Sequence, residues 1–201
     1  MPSSKQPFLS TQRLVLRPFD PADVPMVVKL AGDRAVAENT LSFPHPYAEA
    51  DAEAWVSQQQ AIWPGNKGVG YAITQPDGTL CGSVGLSLNL SYNLAELGYW
   101  IGRPRWGQGY ATEAAAALVA FGFGKLGLNR INATRFGDNP ASGRVMEKLG
   151  LVQEGYRRRH TLKWGVYRDI ALYGLLREDW NATQPRTSSN PASYSSCSSD
   201  K

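Results

Sequence analysis

Two rhythms of hydrophobic and polar positions run along the chain. In Arg13-Leu-Val-Leu-Arg17 apolar residues alternate with others, which predicts a strand burying Leu14 and Leu16. At Asp20-Pro21 the spacing changes. Asp20 suits a helix cap, Pro21 a first turn and Asp23 the positive end of the dipole. Val24, Val27, Val28 and Leu30 then recur at helical intervals. The loop Phe43-Pro-His-Pro-Tyr47 is stiffened by its prolines. It leads into a helix predicted over 48–63, with Ala52, Trp55, Val56, Gln59 and Ile62 in register. Alternation returns at Val69, Tyr71 and Ile73. Pro76-Asp77-Gly78 marks a turn and Thr79 to Leu90 reads as the partner strand, with Cys81 as a small core residue.

The most informative stretch runs from Glu96 to Ala117. Leu97, Tyr99, Trp100 and Ile101 suit a strand; Gly102, Pro104, Gly107 and Gly109 break it. A helix follows from Tyr110, packing through Ala111, Ala115, Leu118, Val119, Gly122 and Leu126 and stopping at Gly127. Arg130 to Thr134 is a short strand, Pro140 to Leu149 a helix stopped by Gly150, and Val152–Arg159 with Tyr167–Leu176 a closing antiparallel pair. Residues 1–8 read as a frayed terminus and 9–180 as one domain. The Ser-rich stretch 181–201 buries too little apolar surface to offset its ordering entropy and is expected to be disordered.

Composition narrows the function classes. With 201 residues, 42% hydrophobic and 19% charged, the chain fits one soluble globular domain. A net charge of +4 suits an anionic ligand, and Arg157, Arg158 and Arg159 read as a solvated strand edge rather than a nucleic-acid patch. Cys81 and Cys197 make no disulfide framework, and neither an apolar signal segment nor a membrane-length run is present. A cytoplasmic protein without membrane or nucleic-acid partners, monomeric or homodimeric, is the expectation. His45 and His160 have no neighbours at metal-ligand spacing, so no metal is expected.

A strand that ends in glycines and enters a helix leaves backbone N–H groups free, and the helix dipole adds positive charge there. Arg103 and Arg105 flank this turn, making it a candidate pyrophosphate site. The Walker pattern is missing, and Gly107-Gln-Gly109 followed by Tyr-Ala-Thr does not complete a Rossmann fingerprint. The run Trp106-Gly107-Gln108-Gly109-Tyr110-Ala111 instead resembles the acetyl-CoA loop of the GNAT acyltransferases, [Gln/Arg]-x-x-Gly-x-[Gly/Ala], with Trp106 at the first position. The run GxGYATEA and the entry TxRLxLRPF…D resemble the RimJ/RimL-like branch. Asn139-Pro-Ala-Ser142 through Lys148-Leu-Gly150 is similar to the second GNAT signature, with Leu151 where Phe is usual, and Asp169-Ile-Ala-Leu-Tyr173 to its closing strand.

This resemblance, over roughly residues 9 to 180, implies an α+β GNAT fold: a strongly twisted, mixed but mostly antiparallel sheet of about seven strands with about four helices. It implies acetyl-CoA as cosubstrate and an amine as acceptor, a protein N-terminus or a small molecule. The diphosphate would lie on amides of Trp106, Gly107, Gln108, Gly109, Tyr110, Ala111 and Thr112. The pantetheine arm would pair with the strand at Tyr99, Trp100 and Ile101 and bond Asn139. Transfer requires a neutral amine and a stabilised thiolate. Glu96 is the candidate base; a purely structural carboxylate is its other reading, and Glu113 at the helix start more simply serves the dipole. The family's usual tyrosine, seven positions after the Asn, is Met146 here, which donates no proton. Ser142 becomes the candidate donor to the CoA sulfur, its other reading being a helix cap. Met146 also keeps open a module that binds acyl-CoA to sense or regulate without turnover. Phe43, His45 and Tyr47 are candidates for the acceptor wall.

Overall fold

The computed structural model describes residues 5–183. The strands are β1 (Leu9–Ser10), β2 (Val15–Arg17), β3 (Gly68–Thr74), β4 (Leu80–Asn89), β5 (Leu94–Ile101), β6 (Arg130–Phe136), β7 (Val152–Lys163) and β8 (Val166–Leu176). The helices are α1 (Val24–Ala31), α2 (Arg34–Glu38), α3 (Glu49–Ile62), α4 (Tyr110–Gly124), α5 (Pro140–Lys148) and α6 (Arg177–Thr183). All eight strands form one sheet in the order β1-β2-β3-β4-β5-β6-β8-β7. Every neighbouring pair is antiparallel except β5 and β6, which run parallel. The expected α+β architecture is present, with one strand and two helices more than expected.

The extra elements are short, which is why periodicity misses them. The two residues of β1 gain strand geometry only by pairing Leu9 with Leu16. The five-residue α2 is set by its cap, the Asp33 side chain accepting from the Ala35 N–H. Within the segment 1–8 expected to fray, Gln6 donates its side-chain amide to the Gly70 carbonyl, and the Tyr71 hydroxyl donates to the Pro7 carbonyl. Residues 1–4 lie outside the described part. The expected tail boundary also moves, because α6 continues to Thr183; 184–201 lie outside the described residues. The three arginines 157–159 are exposed, at a point where the β7–β8 register shifts between Arg157 and Thr161.

The sheet carries a core on each face. Leu86, Leu97, Leu118, Phe123, Ile131 and Met146 pack beneath α4 and α5; Phe19, Val27, Phe43, Val56 and Trp100 pack beneath α1 and α3. Arg17 clamps the entrance to α1 through two bonds to Asp23, at 2.8 and 2.6 Å. Burial alone would push the Asp23 carboxyl up; the Arg17 hydrogen bonds and charge and the Asp20 amide outweigh it and hold it below its ordinary value.

One feature of the ladder positions the site. β5 and β6 are paired only from Leu94↔Arg130 to Leu97↔Ala133. Beyond that β5 stays with β4 as far as Ile101, and β6 stays with β8 as far as Phe136. The two central strands part from Gly98 onward, and a wedge opens in the sheet.

Candidate functional site

The wedge widens into a cavity of about 370 Å³ that reaches both faces of the sheet. Asn39, Phe43, Trp55, Gln58 and Gln59 line it from one side, and Tyr99, Asn139, Ser142 and Met146 from the other. Alternation along β5 divides the labour. Leu97 and Tyr99 turn toward α4 and α5; Glu96 and Trp100 turn the opposite way, where Trp100 meets Phe43 and Trp55 at 5.8 and 6.0 Å between ring centroids. Cross-strand partners Gly70, Gly85 and Gly98 form a glycine row over three strands. A Cβ on Gly70 would strike the Gln59 side chain, at 2.1 Å, whereas one on Gly98 would meet nothing within 4 Å. The row lowers the floor of the sheet and leaves the cavity clear where the strands part.

On the α5 side, Asn139 rather than Ser142 caps the helix: its Oδ1 accepts from the Ser142 N–H at 3.1 Å. The Ser142 hydroxyl is therefore not spent on the cap. It lies 2.9 Å from the Tyr99 hydroxyl, which is also 3.0 Å from the Ser142 carbonyl oxygen. Burial pushes the Tyr99 phenol up to about 12, with Ser142 and Arg135 pulling weakly the other way. Met146 is almost fully buried at the cavity wall.

The turn between β5 and α4 has the geometry an anion site requires. Gly107 and Gly109 sit at φ of +75° and +80°, where side chains are strained, and Gly109 is the N-cap of α4. Among the described residues, the N–H groups from Gly107 to Thr112 have neither a backbone acceptor nor a side-chain cap. Trp106, half exposed, reaches back to donate its indole N–H to the Ile101 carbonyl at 2.6 Å, tying the loop to the strand end. Gln108 bonds the Pro104 carbonyl, and the buried Tyr110 hydroxyl accepts from Gln75. Ala111 and Thr112 are half-buried on the first turn.

A contact across the sheet holds this loop from below. The Glu113 carboxylate accepts from the Thr11 hydroxyl at 2.6 Å, from the Arg13 N–H at 2.8 Å and from the Arg13 Nε at 2.7 Å. The same guanidinium donates to the Gln108 carbonyl and lies over the Tyr110 ring. Sequence reasoning noted Thr11-x-Arg13 and Tyr110-Ala-Thr-Glu113 as family marks without seeing that they touch. Opposite charge in two family-specific motifs is the signal that links them.

On the α3 side, Glu96 is exposed to the cavity, and its Oε1 accepts from the Thr134 hydroxyl at 3.2 Å. Of the three aromatic-loop candidates, Phe43 lines the cavity; His45 and Tyr47 do not. His45 lies exposed against Trp164 at the tip of the β7–β8 hairpin, and Tyr47 is buried in the core beneath α1 and α3. Their separation follows from the hairpin, which clips this loop: Lys163 donates its ammonium to the carbonyls of Leu41 and Phe43. Among the described residues no group of three or more His, Cys, Asp or Glu gathers to hold a metal, and no helix is long and apolar enough to cross a membrane.

The model of the acetyltransferase (GNAT) domain matches residues 13–152, spanning the entry strand, the wedge, the loop and α5. The chain belongs to the GNAT acetyltransferases. This GNAT enzyme is 30% identical over 178 residues to the uncharacterized N-acetyltransferase YoaA of Bacillus subtilis, covering 85% of this chain and 97% of the relative. A GNAT-family acetyltransferase of known structure from Bacillus anthracis aligns with a TM-score of 0.76 at 27% identity, covering 86% of this chain and 99% of that one. Within the family the RimJ/RimL-like likeness holds: the ribosomal protein uS5-alanine N-acetyltransferase of Escherichia coli is 33% identical over 90 residues, 45% of this chain and 46% of that protein. As a GNAT enzyme, the chain is an acetyl-CoA-dependent acyltransferase.

Proposed function

We propose that the enzyme transfers the acetyl group of acetyl-CoA to a primary amine by direct attack in a ternary complex formed across the sheet. The observation that carries this reading is the wedge between β5 and β6. It joins a face bearing the Tyr99–Ser142 hydroxyls to a face bearing a carboxylate. The amides of Gly107 to Thr112 hold the diphosphate with the help of the α4 dipole. The pantetheine arm runs along the edge of β5 that β6 leaves bare. The Asn139 side-chain NH2, its oxygen being engaged by the cap, bonds that arm. A backbone N–H near Gly98–Trp100 bonds the thioester oxygen as charge develops on it. Glu96 takes a proton from the incoming ammonium, and Ser142 hydrogen-bonds the departing sulfur.

The lining of the acceptor side supports a substrate class. Asn39, Thr40, Ser42, Gln58, Gln59, Ser83 and Ser87 are neutral and polar, and among the described residues Glu96 is the one carboxylate lining the cavity. A polycation would need several anionic partners to offset its desolvation. An amine at the end of a neutral hydrogen-bonding body, such as a peptide N-terminus, matches this wall better. Measuring CoA release over a panel of peptides, amino acid amides and polyamines tests the reading. Turnover with peptides or amides above polyamines supports it; acetyl-CoA binding with no release on any amine overturns it. Ser142→Ala should lower kcat about 10- to 100-fold with little change in the KM for acetyl-CoA. Equal loss in both would remove Ser142 from the chemistry.

A further inference from the structure

We infer that Tyr99 is the positioning residue that presents the Ser142 proton to the leaving sulfur, so that the two hydroxyls act as one donor unit; this rests on the transferase reading above. The Tyr99 oxygen stands 3.0 Å from the Ser142 carbonyl and 2.9 Å from the Ser142 hydroxyl, and both side chains line the cavity. A phenol has one proton to give and a carbonyl can only accept. With the Tyr99 proton on the carbonyl, the Ser142 O–H points at Tyr99. When the Tyr99 proton turns to the Ser142 oxygen, the Ser142 O–H is released into the cavity. The switch needs only rotation about two C–O bonds. A hydroxyl that accepts a hydrogen bond is also a better donor, because the two bonds polarise one another.

Neither hydroxyl is deprotonated in the reaction. A thiol ionises at about 8.5, while burial holds the Tyr99 phenol at about 12. Proton transfer from phenol or serine to the thiolate is therefore uphill, and the pair serves by hydrogen-bonding the charge. The balance closes without it: nitrogen forms a bond to the acetyl carbon, the C–S bond breaks with its electron pair on sulfur, and the amine gives up its proton. The ammonium's first proton passes through Glu96 to solvent before attack, and the second, released from nitrogen as the amide forms, reaches the thiolate through Glu96 or water, leaving an amide and free thiol.

The test is a cycle of Tyr99→Phe, Ser142→Ala and the double variant, assayed with an amine the wild type acetylates. Tyr99→Phe should lower kcat about 5- to 10-fold with the KM for acetyl-CoA and the melting temperature nearly unchanged. The double variant should be no slower than Ser142→Ala alone, because Tyr99 acts only through Ser142. Wild-type kcat in Tyr99→Phe, losses that multiply in the double variant, or a loss confined to acetyl-CoA KM would each overturn the inference. A wild type that binds acetyl-CoA yet acetylates no amine overturns the transferase reading, and the donor pair with it, before any variant is compared.

Discussion

Glu96 and Ser142 lie on β5 and α5 with the bare end of β5 between them, and their side chains reach the cavity from opposite faces of the sheet. In the proposed reaction Glu96 would take the proton of the nucleophile and Ser142 would hydrogen-bond the leaving sulfur. Glu96→Gln keeps the hydrogen bond from Thr134 but cannot take a proton. We expect it to lower kcat/KM for the amine about 100-fold near neutral pH. The loss should shrink as pH rises toward the pKa of the amine itself, where the free base no longer needs help. A pH-independent loss would mean that Glu96 only shapes the wall. Gly98 lies between them on β5. A Cβ there would meet nothing within 4 Å, in the stretch where β5 leaves β6, and its backbone is not in the left-handed region.

At the scale of elements, the unit that matters is β5, its glycine turn and α4, held against the β1–β2 corner by Glu113. Burial pushes the Glu113 carboxyl up, but the Thr11 hydroxyl and the Arg13 amide, guanidinium and charge outweigh it, so it lies below its ordinary value. A depressed folded pKa contributes stability that is complete above the unfolded value of about 4.3 and is lost as pH falls through the folded one. The brace should therefore loosen only in acid, below about pH 4. It also hides a carboxylate that would otherwise repel a diphosphate at the helix N-terminus. Arg13→Met should weaken acetyl-CoA binding about 10-fold by calorimetry, and adding Glu113→Gln should restore most of it. S-acetylpantetheine, which has no diphosphate, should bind equally to all three proteins. If the double variant binds as poorly as Arg13→Met, the brace is purely mechanical.

For the whole molecule, β5 and β6 are paired directly only from Leu94↔Arg130 to Leu97↔Ala133, and beyond that each is held by its outer partner, β5 by β4 and β6 by β8. Acetyl-CoA filling the wedge would join the two halves. At 100 times its Kd the ligand stabilises the folded state by about 2.7 kcal/mol. In a domain of this size that corresponds to a rise of about 5–10 °C in Tm by scanning calorimetry. Free adenosine should give a much smaller rise, since it reaches neither the turn nor the wedge.

Much of this was legible in the chain itself. The 3.6- and 2-residue periods of α1, α3, α4 and β2–β5 follow from which residues must avoid water. The Gly107–Gly109 turn follows from the backbone conformations only glycine adopts without strain. Those are local demands, and a sequence states local demands directly. Three things were decided by tertiary structure. Asn139 took the cap and freed Ser142; Thr11 and Arg13 met Glu113 across about a hundred residues; Gly70, Gly85 and Gly98 aligned from three strands. Each depends on strand register and on where β5 leaves β6, and register is fixed by packing both faces of the sheet at once, which no single segment encodes.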